Sequence, residues 1–390
     1  MLAWVLLTAF FLAYANGAND NFKGVATLFG SGTTDYRKAL WWATATTFAG
    51  SCAAILLCGG LVKAFGGKGL VPDALAQQPA FLFAVGLGAA LTVLLATMTG
   101  VPVSTTHAIT GALVGAGLAE AGAVNVSKLG HTFFLPLAVS PFLSFAFTSI
   151  LYPVFRFVRT RLGIERDMCL CIEDGGMVAA PACRDTPSPA RMVPARSEAV
   201  EMRPDGTAVL RATGATLTVG QLSTCVQRYH GRVLGIDSQW ILDRLHYCSA
   251  GAVSFARGLN DTPKIVALLM AAKGLGLSLS AGMCAVGIAM AVGGLLNARK
   301  VALTMSQRIT SMNHGQGFTA NLVTAFLVTV ASRFGWPVST THVSCGSLFG
   351  IGAVGGSACW PVIRHIILAW LITLPLAGLL AAGLSWIIRA

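Results

Sequence analysis

Charged residues are scarce in this chain of 390 residues. Asp, Glu, Lys and Arg make up 11% of it, whereas a soluble globular domain has about 25%. Tyrosine is rare as well, with five residues, while hydrophobic residues reach 55% and the mean hydropathy is +0.70. These deficits exclude an ordinary soluble protein.

Long apolar runs without any charge account for the deficit. They cover residues 43–61, 80–98, 133–155, 281–296, 320–331 and 366–388. Because about 20 such residues cross a bilayer as a helix, the sequence predicts an all-α polytopic membrane protein. The first apolar run ends in Ala-Tyr-Ala, which resembles a signal-peptide cleavage site. No Lys or Arg precedes it, so we expect no cleavage.

The net charge of +12 does not indicate a nucleic-acid partner, because many of the basic residues lie in one hydrophilic segment between two hydrophobic halves. Twelve arginines lie between residues 156 and 244. We therefore divide the chain into a first transmembrane repeat (1–159), a cytoplasmic insert (160–235) and a second transmembrane repeat (236–390), because arginine-rich segments beside a span favour the cytoplasm. The insert is either a small β-rich unit or a disordered linker, and residues 207–220 alternate as a hairpin does.

The ten cysteines do not have the pattern of a disulfide framework. Six lie in or beside apolar segments and are interpreted as small core residues: Cys52, Cys58, Cys248, Cys284, Cys345 and Cys359. The insert holds the other four, Cys169, Cys171, Cys183 and Cys225, and their spacing matches no zinc pattern well. We expect no metal site and no cofactor.

Two motifs occur twice, in the same order, on either side of the insert. "GVPVSTTHAITG" at 100–111 matches "GWPVSTTHVSCG" at 335–346, and "ANGANDNFKGVATL" at 15–28 matches "ARGLNDTPKIVALL" at 256–269. The chain is therefore an internal duplication. The first half has predicted spans at 2–30, 38–61, 80–99, 101–119 and 131–155, and the second at 240–272, 278–297, 317–333, 338–357 and 360–388.

An odd number of spans in each half makes the halves antiparallel. Inverted repeats with broken or re-entrant helices are typical of secondary transporters, whose binding site lies near the membrane midplane. We expect 10 to 12 transmembrane helices. With the insert inside, one set of basic residues falls inside as well: Arg37, Lys38, Arg299, Lys300, Arg308 and Arg364. A second set falls outside: Lys63, Lys68, Lys128, Lys273 and Arg333.

The "PVSTTH" motif has the pattern of a helix start within the membrane. Proline tolerates the first turn of a helix, and Ser and Thr are favoured caps. The free N–H groups and positive dipole end of such a start suit an anion, so we expect an oxyanion to be held by six hydroxyls: Ser104, Thr105, Thr106, Ser339, Thr340 and Thr341. The alternative is that they only cap a kinked helix. His107 and His342 either contact the anion, relay a proton or are packed and neutral.

The Asn-Asp pairs are the second candidate half of the site. An ionisable residue within a span is costly and marks function by default, so Asp20 and Asp261 are candidates for ion coupling, and Asn19 and Asn260 for substrate binding. Gly17, Gly258 and Pro263 favour a helix break, where free carbonyls and Asp oxygens suit Na⁺ or a coupling proton. Alternatively, Lys23 and Lys264, three residues on, form structural ion pairs with the aspartates.

These doubled sequences resemble the signatures of the inorganic phosphate transporter (PiT) family. The resemblance covers both hydrophobic halves. It implies an inverted-repeat carrier in the cell membrane, dimeric, that takes up phosphate in symport with Na⁺ or H⁺. It places Asn19, Asp20, Asn260 and Asp261 at broken helices and the six hydroxyls in a phosphate cradle.

One departure from that family concerns the coupling ion. The family has asparagine three residues after each aspartate, where this chain has Lys23 and Lys264. An ammonium group could replace a bound Na⁺ or bind the anion directly. We therefore expect weaker Na⁺ dependence and H⁺ coupling, with sulfate as the alternative substrate. Two other interpretations are an intramembrane hydrolase using Ser104, Thr105 and His107 and an anion channel.

Overall fold

The described residues of a computed structural model are 1–67, 69–166, 168–173, 176–178, 199–202, 208–212, 215–221, 229–233, 235–271 and 276–389. The α-helices of the first half are α1 (Leu2–Asp20), α2 (Ala26–Gly30), α3 (Tyr36–Leu57), α4 (Gly59–Phe65), α5 (Pro79–Thr99), α6 (Thr105–Ala121), α7 (Val126–Lys128) and α8 (Leu135–Arg161). Those of the second half are α9 (Ser238–Ala271), α10 (Leu279–Asn297), α11 (Arg299–Leu303), α12 (His314–Arg333), α13 (Thr340–Gly355) and α14 (Trp360–Arg389). Short 3₁₀ helices cover Asn21–Gly24 and Leu75–Gln77, and π-helical turns cover Leu129–Phe134 and Thr304–Arg308.

Each of the ten predicted spans is helical over most of its length, so the protein is a multi-pass helical membrane protein. Six helical segments are long and apolar enough to cross a membrane, among the residues that the structure describes: Leu2–Gly24, Tyr36–Leu57, Pro79–Thr99, Val126–Arg161, Leu279–Asn297 and Trp360–Arg389. The other four predicted spans are α6, α9, α12 and α13. These are shorter or more polar, because they hold or adjoin the repeated polar motifs.

The two copies of the Asn-Asp motif differ in backbone structure. In the first copy α1 ends at Asp20, and a 3₁₀ turn separates it from α2. In the second copy α9 runs unbroken from Ser238 to Ala271 with Pro263 inside it. The expectation of a break in both copies is therefore wrong for the second. Asn21 and Gly24 are poor helix formers that follow Asp20 at once, whereas a single proline is tolerated in a membrane helix packed among neighbours.

Several helices of each half pack against helices of the other half. Helix α6 packs against α14, and its repeat counterpart α13 packs against α8. Likewise α1 packs against α10, and its counterpart α9 packs against α3. Each of these contacts joins one half to the other. The core is therefore shared between the repeats.

Glycines allow these helices to approach closely. A Cβ on Gly111 or Gly115 of α6 would overlap backbone oxygens of α14, and one on Gly346 of α13 would overlap a side-chain oxygen of α8. Gly17 of α1 meets the backbone of α10 in the same way. Small residues spaced four apart commonly permit such contacts in membranes.

Within each predicted set of basic residues, some members come together where they are described. In the first set, Arg37 and Arg299 line one pocket together with Asp35. In the second set, Gly60 lies against Gly335, which brings the segments carrying Lys63 and Arg333 together. Lys68 and Lys273 lie outside the described residues.

The strands that the structure describes lie in the insert or, for the last of them, directly after it. They are β1 (Glu165–Arg166), β2 (Met168–Glu173), β3 (Gly176–Val178), β4 (Ala199–Met202), β5 (Ala208–Ala212), β6 (Ala215–Gln221), β7 (Tyr229–His230), β8 (Arg232–Val233) and β9 (Ile236–Asp237). Five of them form a sheet in the order β3-β2-β6-β5-β4. Strands β5 and β6 pair antiparallel, with Ala212 opposite Ala215, which confirms the hairpin predicted at 207–220.

One cysteine departs from the sequence interpretation. Cys359 is buried as predicted, but it is disulfide-bonded and not a free thiol. The other five cysteines assigned to the apolar segments are free. Cys183 and Cys225 of the insert lie outside the described residues.

Candidate functional site

The two "PVSTTH" motifs begin helices with the same geometry. Ser104 has an extended backbone, and its hydroxyl accepts a hydrogen bond from the His107 N–H at 3.1 Å. Ser339 caps α13 in the same way, accepting from His342 N–H at 3.2 Å. Because the first N–H groups of a helix lack intrahelical partners, each motif leaves the N–H groups of two threonines directed out of the helix start.

The two helix starts meet in the interior. The rings of His107 and His342 lie 4.5 Å apart between centroids. Trp370 of α14 packs against His342 at 4.0 Å and donates a hydrogen bond to the Pro102 carbonyl at 3.1 Å. Within the described part of the chain, His107 Nδ1 and His342 Nε2 have no hydrogen-bond partner. The repeat thus brings two chemically identical motifs together.

Lys23 connects the first Asn-Asp motif to both hydroxyl motifs. Its ammonium contacts the Asp20 carboxylate and donates to Asn19 Oδ1 at 2.8 Å. It also donates to the Val103 carbonyl at 3.0 Å and to Thr341 Oγ1 at 2.7 Å. Thr341 belongs to the opposite half of the chain. The lysine therefore bridges the two repeats.

Lys264 also bridges the repeats, in the opposite direction. Its ammonium lies 3.4 Å from Asp261 Oδ1 and donates to the Val338 carbonyl at 2.7 Å. It donates to Thr106 Oγ1, in the first half, at 2.7 Å. Each lysine therefore bonds its own aspartate, its own half's backbone and a threonine of the other half. Both are almost wholly buried, at 3% and 1% exposure for Lys23 and Lys264.

The remaining threonines of the motifs contact the aspartates. Thr105 donates to Asp20 Oδ2 at 3.3 Å, and Thr340 donates to Asp261 Oδ2 at the same distance. Asn16 joins the two clusters, since its amide lies 3.0 Å from Asp20 Oδ2 and 3.4 Å from Asp261 Oδ2. The carboxylates of both halves thus share one polar centre.

The two predicted asparagines bond members of this centre, since Asn19 accepts from Lys23 and Asn260 donates to Asp261 at 3.0 Å. Asn19 donates to Thr97 and Val101 and accepts from the Val103 N–H at 3.1 Å. Asn260 donates to the Val338 carbonyl at 3.1 Å. Both side chains hold the chain segment that precedes the hydroxyl motif of their own half.

Sequence reasoning missed Arg257 and Asn16, which occupy equivalent positions of the repeat. The Arg257 guanidinium is 1% exposed and donates to Asn16 Oδ1 at 2.7 Å and to Asn21 Oδ1 at 3.1 Å. Its Nε lies 3.7 Å from Asp261. Matching the two repeats does not identify them, because this position holds asparagine in one copy and arginine in the other. A lone arginine in a predicted span was the available signal.

The site carries an excess of positive charge. The Asp, Glu, Lys and Arg residues that are buried as whole residues in the described chain are Asp20, Lys23, Arg257, Asp261 and Lys264. Three are formally cationic and two are anionic. The set belongs to one connected network, so the interior carries a formal surplus of one positive charge when all are ionised.

Known proteins resemble this chain in sequence and in fold. Residues 16–381 match the sequence profile of the phosphate transporter family. Inorganic phosphate transporter 2-1 of the Arabidopsis thaliana chloroplast is 28% identical over 98% of this chain and 71% of that protein. A Pyrococcus abyssi protein whose name describes a phosphate permease is 28% identical over 99% of this chain and 98% of its own length.

The structural comparison gives the same fold. A solved structure of a protein described as a sodium-dependent phosphate transporter has a TM-score of 0.71, and the match covers 100% of this chain and 98% of that one. The two sequences are 20% identical.

Proposed function

Because this chain belongs to the phosphate transporter family, we propose that it imports inorganic phosphate across the cell membrane by symport with a cation. The anion binds between the starts of α6 and α13, and coupling runs through the paired Asn-Asp motifs. The two halves are inverted, so that alternating access exposes this centre to one side and then to the other.

The observation that carries this proposal is the buried surplus of positive charge. Lys23, Lys264 and Arg257 face only two carboxylates, Asp20 and Asp261, among the buried residues that the structure describes. An uncompensated charge inside a membrane protein is costly and marks a substrate or ion pathway. An oxyanion would neutralise it, and a phosphate dianion offers acceptors in every direction to the surrounding N–H, ammonium and hydroxyl donors.

The helix starts supply the remaining donors. Backbone N–H groups and the dipole of a helix N-terminus favour anions. Four threonines lie at these two starts with their hydroxyls in the network: Thr105, Thr106, Thr340 and Thr341. When phosphate binds, Lys23 and Lys264 exchange their threonine bonds for bonds to the anion, and the threonine hydroxyls turn to it. Ser104 and Ser339 keep the helix starts in place as caps.

The lysines also bear on the coupling ion. Each ammonium lies against the carboxylate that would otherwise attract a free cation. We infer that the lysines take the place of bound Na⁺, and that a proton is the coupling ion. The structural neighbour is described as sodium-dependent, but its sequence is too distant for that property to be transferred. Candidate proton sites are the two aspartates and the free ring nitrogens of His107 and His342.

The geometry disfavours a hydrolase. The Ser104 hydroxyl accepts the backbone N–H of His107 and is a helix cap. A nucleophile needs its hydroxyl hydrogen-bonded to a base, and the free His107 Nδ1 makes no such bond in the described residues. Two facing copies of the motif also suit alternating access better than catalysis.

The test is uptake of radiolabelled phosphate into proteoliposomes under separately imposed H⁺ and Na⁺ gradients. We expect accumulation above equilibrium with a H⁺ gradient, unchanged when choline replaces Na⁺. Excess sulfate should compete weakly. Loss of uptake without Na⁺ would contradict the proposal that a proton is the coupling ion, while phosphate would still be the substrate. Accumulation of sulfate instead would overturn the substrate, and equilibration without accumulation would indicate a channel.

A variant addresses the site itself. Arg257→Gln removes the surplus charge, so we expect phosphate uptake to fall by at least about tenfold, as when a hydrogen-bonded charge is lost. Arg333→Gln is the matched control, because Arg333 is exposed and makes no hydrogen bond or ion pair with the network residues that the structure describes. Equal uptake by both variants would contradict the role of the buried charge.

A further inference from the structure

A groove lies where the beginnings of α3 and α9 meet, away from the central network. It encloses about 1030 Å³. Its lining includes three basic and three indole side chains: Arg37, Lys38, Arg244, Trp41, Trp42 and Trp240. A hydrogen bond from Trp42 Nε1 to the Tyr247 carbonyl, at 3.0 Å, joins its two walls.

The groove has unbalanced positive charge. Lys38 pairs with Asp35 at 3.1 Å, and the lining carboxylate of Asp243 is hydrogen-bonded to His314 Nδ1 at 2.6 Å. Arg244 lies over the Trp240 ring at 5.2 Å. Neither Arg37 nor Arg244 has a carboxylate within ion-pairing distance among the residues that the structure describes. Two guanidinium groups are therefore available to an anion, and guanidinium matches phosphate in bidentate geometry.

The indole rings place the groove at the surface of the membrane. Trp41 is 64% exposed and Trp240 is 54% exposed. Tryptophan is enriched at the level of lipid headgroups, where its ring is partly apolar and partly polar. The groove also lies at the first turns of α3, a helix that is apolar and long enough to cross the membrane. A ligand held here would lie at headgroup depth.

An apolar surface continues from the groove along α3. Phe48 and Leu56 face outward on this helix, with Leu56 87% exposed. Such a surface beside a charged groove fits acyl chains attached to an anionic headgroup. A free phosphate ion would use only the guanidinium groups and leave the indoles and the apolar surface unused.

We propose that this groove binds one anionic phospholipid, with Arg37 and Arg244 on the lipid phosphate and the indole rings against the glycerol and upper acyl chains. The occupant is a lipid because the basic side chains, the indole rings and the apolar surface follow one another in the same order as the phosphate, the glycerol and the acyl chains of a phospholipid. Basic residues close to an anionic bilayer surface contribute to lipid binding in the same way.

The test is native mass spectrometry of the full-length protein in neutral detergent with phosphatidylglycerol or phosphatidylcholine. We expect one phosphatidylglycerol to be retained in preference to phosphatidylcholine. The double variant Arg37→Gln with Arg244→Gln should weaken this lipid by about 10- to 30-fold. Excess inorganic phosphate should not displace it.

The matched control is Arg308→Gln with Arg364→Gln, which removes the same charge from exposed positions outside the groove. It should retain the lipid. Equal loss in both double variants, or no preference in the wild type, would overturn the proposal, because diffuse surface charge would then suffice. Displacement by inorganic phosphate would assign the groove to a free anion. A changed oligomeric state with unchanged lipid retention would assign it to a second copy of the chain.

Discussion

At the scale of single residues, the crossed lysine–threonine contacts tie the repeats together. Lys23 bonds Thr341, and Lys264 bonds Thr106. In each pair the threonine hydroxyl accepts a hydrogen bond from the buried ammonium and donates one to a backbone carbonyl in the "PVSTTH" motif of the other half. Such bonds to charged groups contribute more than neutral ones do.

Replacing either hydroxyl by a methyl group tests this arrangement. For Thr106→Val and for Thr341→Val we expect phosphate KM to rise about tenfold or more, because a hydrogen bond to a charge is worth about 1.5–3 kcal/mol. Thr46→Val is the control, since its hydroxyl bonds only carbonyls of its own helix. Uptake kinetics in proteoliposomes give the answer, and an unchanged KM in both variants would contradict the assignment.

The paired lysines give a second prediction. In the double variant Lys23→Asn with Lys264→Asn, Asp20 and Asp261 lose their ammonium partners and require another cation. We expect uptake that was independent of Na⁺ to become stimulated by it. The same assay with Na⁺ replaced by choline measures the change, and the wild type is its control. A folded variant that takes up phosphate equally well in both media would contradict the proposal that the lysines take the place of bound Na⁺.

The sequence predicted these residues to a large extent because duplication marks them. Matching copies identified the aspartates, the lysines and all six hydroxyls. Arg257 and Asn16 could not be found by matching, since the repeat differs at that position. The bonds that Asn19 and Asn260 make to Val103 and Val338 depend on the course of the chain there, which only tertiary structure gives. Their predicted role in substrate binding stays a prediction.

At the scale of helices, close contact between glycine-bearing faces determines the packing. The apolar runs and the repeat together predicted all ten helical spans, whereas length and hydropathy alone indicate six of them among the residues that the structure describes. They could not predict that α9 continues through Pro263 while α1 stops at Asp20, because neighbouring helices decide whether a break is tolerated. Nor could they predict that α6 packs against α14 while α13 packs against α8.

Replacing either of two helical glycines by alanine distinguishes the effect of close helix packing from the effect of helix propensity on stability. Gly115→Ala places a methyl group against the backbone of α14 at Gly378, and we expect it to destabilise the protein by about 1–3 kcal/mol. Gly383→Ala, on α14, meets nothing within 4 Å, so it should be neutral or stabilising by up to about 1 kcal/mol. Thermal unfolding in detergent measures both. Equal melting temperatures would show that the α6–α14 contact is looser than described.

At the scale of the whole molecule, the predicted orientation assigns two sets of basic residues to opposite sides of the membrane. Arg308 belongs to the group expected on the side of the insert, and Arg333 to the opposite group. Both are exposed. If the halves are inverted in the membrane with the insert inside, the two positions have opposite accessibility.

A membrane-impermeant maleimide applied to intact cells tests this topology. We expect Arg333→Cys to be labelled from outside and Arg308→Cys not to be labelled until the membrane is permeabilised. The wild type is the control, because its free and exposed Cys248 should also react only after permeabilisation. Labelling of Arg308→Cys in intact cells would reverse the orientation.

The contacts between the repeats have a consequence for symmetry. A polypeptide with one copy of each motif would have no α14 to cover its α6 and no second threonine for its lysine, so it would need a second chain to supply them. Two identical chains would carry the same residue at equivalent positions. A single chain with two copies can instead place asparagine at position 16 and arginine at the equivalent position 257, where the two side chains bond each other. The Asn16–Arg257 contact is therefore possible only because the two copies differ in sequence.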